Sequence, residues 1–164
     1  MRQARISIDH DVESPFEWDH VGVLANDDAD LPEEPVYLLP FYFVGSSDVS
    51  CWVPEGQDPT MWTGCFWFDD DDLAKENMTA DQVFTHLDGL VDVYSQWMQG
   101  HCWYVEVWTQ QHCECCGQAT EKTDENSCGG FIGEELEFTG ILEEFDASDR
   151  ELLLEAWEKR WDNP

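Results

Sequence analysis

Alternating apolar and polar residues predict strands in both halves of the chain. Residues 4–9 and 102–110 alternate, and residues 36–44 and 49–53 are apolar runs on either side of a Gly-Ser-Ser-Asp turn. A fifth strand is predicted from Cys65, and it runs into an acidic stretch. Such patterns are typical of strands that bury one face, and the short turn indicates an antiparallel hairpin. Pro40 favours an edge position or a bulge, because proline cannot donate a ladder hydrogen bond.

The pattern also predicts a long helix that begins after Thr79 and ends at Gly100. Thr79 and Gln82 have the spacing of a capping box. Apolar residues recur every three or four positions, at Val83, Leu87, Leu90, Tyr94 and Trp97, with Phe84, Val91 and Met98 beside them. This spacing gives one apolar stripe that can face a core. The acids expected on the outward face are Asp81, Asp88 and Asp92.

A second helix is predicted near the C-terminus, where Ser148 and Glu151 have capping-box spacing. Its buried side would contain Leu153, Trp157 and Trp161. A short helix broken near Gly140 is expected before it, and residues 112–131 are predicted to form a hairpin. Together these patterns predict an α+β fold, in which an antiparallel sheet packs against one long amphipathic helix and a C-terminal helix, in a single domain over residues 1–164.

Net charge is the most extreme property of the chain. It contains 37 Asp and Glu against 7 Lys and Arg, which gives −30 at pH 7. Most carboxylates must therefore face solvent, and their mutual repulsion opposes the compact state. Halophilic adaptation and simple solubility are two explanations. Seven Cys and nine Trp argue against the first, and a moderate charge would satisfy the second.

The third explanation is a negative surface that competes with nucleic acid for a protein partner. A domain of this length has a diameter of about 40 Å, and duplex DNA carries about 23 charges over that distance. The net charge of the chain is of the same order. Direct binding to nucleic acid is disfavoured, because the seven basic residues form no cluster.

The sequence shows no membrane or secretion signal. No apolar run approaches the roughly 18 residues that a membrane-spanning helix needs, and the first residues lack the apolar stretch of a signal peptide. We therefore expect a cytoplasmic protein, without membrane contact, whose thiols are reduced. The odd number of cysteines, seven, agrees, because at least one thiol stays unpaired in any disulfide set.

The segment Cys113-Glu114-Cys115-Cys116-Gly117 contains a Cys-x-x-Cys-Gly motif, which is half of a zinc ribbon. Cys113 and Cys116 are the predicted ligands, and Cys128 is the natural third. The fourth ligand stays open, because no second Cys-x-x-Cys exists; the candidates are Cys115, His112, His101 and Cys102. Structural zinc and a hairpin with free thiols are the two main interpretations, and redox catalysis is a weaker one.

Other candidate chemistry is sparse. Asp69–Asp72 could bind a hard cation such as Mg²⁺, but a solvated helix start is the simpler explanation in so acidic a chain. His–Asp pairs at residues 10–11 and 19–20 could act as acid and base, although adjacent residues seldom converge on one substrate. The chain contains no P-loop, dinucleotide fingerprint or nucleophile elbow. We expect no enzymatic activity and no catalytic residue.

Three motifs occur in an order that resembles a known family. They are Ser14-Pro15-Phe16-Glu17-Trp18-Asp19, Leu39-Pro40-Phe41, and Asn126-Ser127-Cys128-Gly129-Gly130-Phe131-Ile132-Gly133. In this order they resemble a widespread family of small acidic proteins encoded by phages and prophages, over roughly residues 6–135. The basic segment that follows the first motif in that family is absent here, and the insertion at Cys113–Cys116 is unusual. The resemblance implies a phage or mobile-element origin and transfers no catalytic residue.

The expected function is therefore a phage-derived inhibitor of a host defence or DNA-processing protein. It would act as an acidic DNA mimic, similar in size and charge to anti-CRISPR and antirestriction proteins, on a host DNA-binding protein, nuclease or CRISPR complex. It would be a monomer or homodimer. The predicted partner-facing residues are Asp27, Asp28, Asp30, Glu33, Glu34, Asp69, Asp70, Asp71, Asp72, Glu134, Glu135, Glu137, Glu143 and Glu144. The alternatives are a small structural-zinc adaptor or regulator and, less favoured, a metal-dependent enzyme that uses Asp69–Asp72.

Overall fold

A computed structural model of the chain describes residues 1–15, 22–24, 37–44, 48–52, 55–56, 58, 63–68 and 78–162. Among these the elements follow in the order β1 (Arg2–Ile8), β2 (Gly22–Leu24), β3 (Tyr37–Phe43), β4 (Val49–Ser50), β5 (Gly64–Phe68), α1 (Ala80–Met98), β6 (Cys102–His112), β7 (Ala119–Ile132), α2 (Ile141–Glu144) and α3 (Arg150–Glu158). Single 3-10 turns occupy Leu136–Phe138, Ala147–Asp149 and Arg160–Asp162. The predicted α+β class with antiparallel pairing is confirmed.

The sequence predicts one antiparallel sheet, whereas the described strands form two sheets, one in each of two compact units. The terminal unit contains Met1–Val12 and Gly100–Pro164, and the central unit contains Glu13–Gln99. The strand order is β1-β6-β7 in the first sheet and β2-β5-β3-β4 in the second. Each predicted helix therefore has its own sheet: α3 packs on β1, and α1 packs on β3, β4 and β5.

The terminal unit is built around the fully buried indole of Trp103 in β6. Its Nε1 donates a hydrogen bond of 2.7 Å to the carbonyl of Gly133, so the polar atom of the ring is satisfied within the core. The ring of Trp157 from α3 packs edge-on against it at a centroid distance of 5.2 Å. Ile6 from β1 and Leu153 from α3 complete the central layer. Burial of these large apolar groups is the main source of stability for this unit.

Strand β7 is an edge strand with three bulges. It uses 14 residues opposite the 11 of β6, and register shifts occur between Trp103 and Val105, between Val107 and Thr109, and between Gln110 and His112. One bulge contains Gly130, whose φ of +83° lies in the left-handed region that glycine favours. There the backbone N–H of Gly130 donates to Oδ2 of Asp9 at 2.9 Å. A Cβ at Gly129 would collide with the same carboxylate.

The core of the central unit lies between α1 and the second sheet. Phe41 and Phe66 stand on neighbouring strands, with ring centroids 5.5 Å apart, and Val83 and Leu87 of α1 are fully buried against the same cluster. Pro40 pairs with Cys65 of β5, whereas β4 pairs with Tyr42 and Phe43 alone. The described part of β4 therefore leaves Pro40 on an uncovered stretch of β3, as the missing donor requires.

Helix α1 confirms the predicted capping box and apolar stripe. The backbone N–H of Thr79 donates to Oε1 of Gln82 at 2.8 Å, and the Thr79 hydroxyl accepts from the backbone of Gln82. One stripe residue differs, because Phe84 is 45% exposed. Within the described part of the chain, no helix combines the length and apolar character required to cross a membrane.

The start of α3 differs from its prediction. Its N-cap is Asp149, and no side-chain capping bond is formed, so the expected box between Ser148 and Glu151 is wrong. The Asp149 carboxylate instead accepts two hydrogen bonds from Arg2 of β1, at 3.0 Å from Nε and 2.8 Å from Nη2. This paired contact ties the first strand to the last helix. Trp161 lies beyond the helix and is 52% exposed, so its predicted burial is also wrong.

We predict that the Arg2–Asp149 contact makes stability depend on acid pH. Hydrogen bonding to Arg2 lowers the pKa of Asp149, so its contribution is present above the unfolded value of about 3.9 and is lost as pH falls through the lower folded value. The denaturant midpoint of the native protein should therefore fall more steeply between pH 6 and pH 3 than that of Asp149→Asn. Glu151→Gln, at an exposed position of the same helix, should follow the native profile. Parallel profiles for Asp149→Asn and the native protein would contradict the assignment.

Candidate functional site

The β6–β7 hairpin ends in a tight turn that carries three of the seven cysteines. The N–H of Gly117 donates to the carbonyl of Cys113 at 2.8 Å, and the N–H of Cys113 donates to the carbonyl of Gln118 at 2.8 Å. Gly117 has a φ of +70°, which this turn requires and glycine adopts without strain. The Cys-Gly sequence therefore closes the hairpin at a defined point and turns the cysteines toward one another.

The three thiols form one cluster at this tip. The Sγ atoms of Cys113, Cys115 and Cys116 all lie within 4.8 Å of one another, and those of Cys113 and Cys115 are 2.8 Å apart. Sulfur ligands about 2.3 Å from one zinc ion would stand about 3.8 Å apart. The cluster is thus close to the size of a metal site and could hold a metal ion. All seven cysteines of the chain are free thiols.

The cluster also favours deprotonation of one thiol. A hydrogen bond from Cys115 lowers the pKa of Cys113 to about 7, with further support from the backbone N–H groups of Cys115 and Cys116. The same side-chain bond raises the pKa of Cys115. The lowered pKa favours the Cys113 thiolate, the form that binds metals and attacks electrophiles.

The structure changes the predicted set of metal ligands. It brings Cys113 and Cys116 together with Cys115, which the sequence offers only as one choice for the fourth position. Cys128 pairs with Val105 of β6, eight residues from Cys113 along the ladder, which is roughly 25 Å in a strand. Cys128 is therefore not a third ligand of this cluster. His101 and Cys102 lie at the opposite end of β6 and are excluded for the same reason.

The predicted acidic surface is described in part. Asp27, Asp28, Asp30, Glu33, Glu34 and Asp69–Asp72 lie outside the described residues. The remaining predicted positions are all exposed: Glu134, Glu135, Glu137, Glu143 and Glu144. They lie in and around the 3-10 turn Leu136–Phe138 and helix α2, within eleven residues of chain. Phe138 lies among them with 80% of its surface exposed, a feature that charge counting does not reveal.

Most basic residues described in the terminal unit pair with other groups of the same unit. Arg5 donates to the buried carboxylate of Glu106, and Lys122 approaches the same carboxylate at 3.9 Å. The Arg160 guanidinium lies 4.0 Å from the ring centre of Trp157 and donates to a backbone carbonyl. Together with Arg2, at least four of the six basic residues of this unit have a partner within the unit, so they are poorly placed to neutralise the exposed acids.

The charge is divided between both units. The terminal unit contains 18 Asp and Glu against six Lys and Arg, which leaves −12, and the central unit contains 19 against one, which leaves −18. The single basic residue of the central unit, Lys75, is outside the described residues. No known protein family, curated protein or solved structure matches this chain.

We predict that Cys115 controls the reactivity of Cys113. Cys115→Ala removes the donor that stabilises the Cys113 thiolate, so the pKa of Cys113 should rise toward its ordinary value. Alkylation of Cys113 by iodoacetamide at pH 7 should slow by roughly tenfold, because the thiolate is the reacting form. Site-resolved mass spectrometry measures the rate, and Cys128→Ala is the control that should leave it unchanged. An unchanged rate in Cys115→Ala would contradict the prediction.

Proposed function

We propose that this protein is an acidic inhibitor that occupies a basic nucleic-acid-binding surface on another protein, in the manner of a DNA mimic. The carrying observation is that its exposed carboxylates far outnumber its cations, and that most of the described cations are already engaged within the fold. The proposed target is a DNA-binding protein, nuclease or CRISPR complex of a host cell. No catalytic step is part of the proposal.

The densest described acidic surface lies in the C-terminal segment of the terminal unit. Its exposed carboxylates between residues 134 and 162 are Glu134, Glu135, Glu137, Glu143, Glu144, Asp146, Glu151, Glu155, Glu158 and Asp162. Ten carboxylates on short helices and turns form a fixed array, because the helices are anchored by Leu153, Ala156 and Trp157. A rigid array of anions suits a surface that normally contacts phosphates, since little ordering remains to be done on binding.

Electrostatics alone would give a fast but weakly specific encounter. Complementary charge raises association rates and suppresses wrong partners more than it adds affinity. Phe138 supplies the missing apolar contact, because its 80% exposed ring lies between the acids at positions 137 and 143. Buried aromatic anchors dominate the energetics of many interfaces. The combination of an aromatic ring and surrounding carboxylates favours a protein partner over a small cation.

The expected setting follows from the sequence motifs. The order of the three phage-like motifs supports a phage or prophage origin, and with it an action in the host cytoplasm. Anti-CRISPR and antirestriction activity are the roles in which such an inhibitor benefits a phage. A homodimer would lengthen the acidic surface, whereas a monomer would present a single one.

Partner capture from a bacterial host lysate tests this function. The immobilised protein should retain a nucleic-acid-binding protein, duplex DNA should displace it, and the retained amount should fall as salt rises from 0.05 to 0.5 M, because screening weakens contacts between exposed charges. Capture of no such protein, failure of duplex DNA to displace it, or retention that does not change with salt would contradict the proposal.

Two variants with equal charge test where the inhibitor acts. The first changes Glu134, Glu135, Glu137, Glu143 and Glu144 to Gln. The second changes five dispersed exposed acids, Asp11, Glu55, Glu114, Glu121 and Glu125, to Asn or Gln. We expect the first to weaken binding to the captured protein by about tenfold or more and the second by less than about threefold, since local contacts exceed the screened long-range field. Equal losses would place the effect in net charge alone.

A second candidate function is that of a small structural-zinc protein, an adaptor or regulator without enzymatic activity. The specific observation in its favour is the thiol cluster at Cys113, Cys115 and Cys116. Three soft sulfur ligands suit zinc or monovalent copper, and they leave one coordination position open for water or for a partner. At an exposed hairpin tip, such an open position could connect the chain to another protein.

Metal titration under reducing conditions tests this second function. One zinc ion should bind per chain at pH 7, measured by competition with a chromophoric chelator. The triple variant with alanine at 113, 115 and 116 should lose this binding, and Cys128→Ala should retain it because Cys128 lies far along β7. Equal loss in both variants, or none in the triple variant, would contradict the site.

A further inference from the structure

A groove of about 410 Å³ opens on the surface of the central unit, between α1 and the strands β3 and β4. Its walls are Leu39, Cys51, Trp52, Phe84, Thr85 and Asp88. Its size falls within the range of pockets that accept a side chain or small ligand. None of these residues belongs to the predicted acidic segments or to the thiol cluster.

Two aromatic rings give the groove its apolar character. The indole of Trp52 is 83% exposed and the ring of Phe84 is 45% exposed, although both are large apolar groups. The Phe84 ring is held by an edge-on contact with Tyr37, at a centroid distance of 5.3 Å. Trp52 follows a turn in which its backbone N–H donates to the Ser50 hydroxyl. Exposed aromatic side chains grouped on one surface are typical of sites that bind a partner.

The groove wall contains one acidic residue, Asp88. Oδ1 of Asp88 accepts a hydrogen bond from the Cys51 thiol at 3.1 Å. Burial raises the pKa of Cys51 to about 12, and Asp88 adds to this shift, so the sulfur remains a neutral donor at physiological pH. The thiol therefore fixes the orientation of the carboxylate. Oδ2 of Asp88 is the oxygen available to a ligand in the groove.

Two further carboxylates, outside the groove wall, lie close enough to interact with Asp88 or with each other. Asp92 follows Asp88 by one helical turn, and Asp48 reaches the helix through a hydrogen bond from the Ser95 hydroxyl. Partial burial raises the pKa of Asp92, and the charges of Asp88 and Asp48 raise it further. These anions repel one another, and the described residues of the central unit include no lysine or arginine that could compensate them. A cation from outside would relieve the repulsion.

The geometry points to this groove as a binding site for an arginine side chain presented by a basic protein partner. The guanidinium would stack on the faces of Trp52 and Phe84 and donate to Oδ2 of Asp88, while its methylene groups would contact Leu39. Arginine fits better than lysine, because its planar, weakly hydrated group stacks on aromatic rings and still donates to a carboxylate in the same plane. A purely apolar ligand would leave the carboxylates uncompensated.

This inference rests on the proposed function, because it takes the partner to be basic. It adds one specific contact, the bound arginine, to the long-range electrostatic attraction between the two proteins. A surface that binds nucleic acid is rich in arginine, so one exposed arginine of the target is the natural occupant. The anchor would let the inhibitor distinguish such a surface from other positively charged proteins, since stacking needs a defined geometry and long-range attraction does not.

Peptide titration tests the groove without any knowledge of the partner. The probe is an acetylated and amidated octapeptide of alanine and leucine with one central arginine; its analogues carry lysine or citrulline instead. Amide and indole shifts in ¹H–¹⁵N spectra of the full chain report the site. We expect the arginine peptide to shift the signals of Trp52 and of residues 84–88. Its affinity should exceed that of the lysine peptide by a factor of about five or more, and that of the citrulline peptide by a factor of about ten.

Single substitutions give the matched comparison. Asp88→Asn keeps the size and the Cys51 contact while removing the charge, and Phe84→Ala removes an exposed ring; each should weaken the arginine peptide about fivefold or more. Glu125→Gln removes one charge from the exposed part of β7 and should have no effect. Unchanged denaturant midpoints show that the variants are folded, and the nearly isosteric Asp88→Asn keeps the test decisive if Phe84→Ala is not.

Several results would overturn the inference. Equal affinity for arginine and citrulline would remove the role of charge, and equal affinity for arginine and lysine would remove the role of stacking. Equal weakening by Asp88→Asn and Glu125→Gln would reduce the effect to net charge, and an absence of binding at 5 mM peptide would exclude the site. The proposed function can fail independently of the groove. If the arginine peptide binds but no captured protein is displaced by duplex DNA, the groove stands and the DNA-mimic function is contradicted. If duplex DNA displaces a captured protein but the peptide does not bind, only the groove is contradicted.

Discussion

Scarcity of positive charge is the constraint on which the rest of this structure depends. With seven cations for 37 carboxylates, each arginine or lysine that pairs with a group of the fold is one fewer available to the surface acids. Arg2 joins β1 to the turn before α3, Arg5 satisfies the buried carboxylate of Glu106, and Arg160 covers the tryptophans beneath the C-terminus. The same contacts that tie these elements together therefore leave fewer cations to offset the surface acids of the terminal unit. The central unit has almost no cation to use and depends on its aromatic core instead.

Local elements could be predicted from the sequence because their causes are local. Helix α1 begins where Thr79 and Gln82 cap each other, and its buried residues follow the apolar period. The two-sheet arrangement could not be predicted in the same way. A period of two shows that a strand has two faces but not which strand it pairs with, and β1 finds its partner about one hundred residues away in β6. The failed capping box at Ser148 has the same explanation, because the neighbouring carboxylate is used by Arg2 on a distant strand.

The candidate sites show the same contrast between features with local causes and features that depend on tertiary structure. The sequence predicts the part of the cysteine cluster that lies in one turn, because Gly117 closes the hairpin beside the thiols. The prediction of Cys128 as a third ligand is wrong, because a spacing of twelve residues suits both a compact zinc loop and a long strand. Here most of the chain between Cys116 and Cys128 runs along the β6–β7 ladder. The acidic segments follow from composition, but the exposure of Phe138, Trp52 and Phe84 does not. From the sequence alone, apolar residues are expected in the core. Only the tertiary structure shows which of them remain exposed.

The bulged edge of the first sheet has a consequence for how this molecule behaves in a concentrated solution. Among the described residues, β7 pairs with β6 on one side only, and the free side of such a 14-residue edge strand offers its backbone to any other chain with an open edge. In β7 three bulges interrupt the ladder, and Asp124, with its left-handed φ of +49°, turns the backbone within one of them. Glu121 and Glu125 add charge along the same border. Addition of a foreign strand would meet both a broken hydrogen-bond register and electrostatic repulsion, so the edge resists the sheet-to-sheet growth that leads to fibrils.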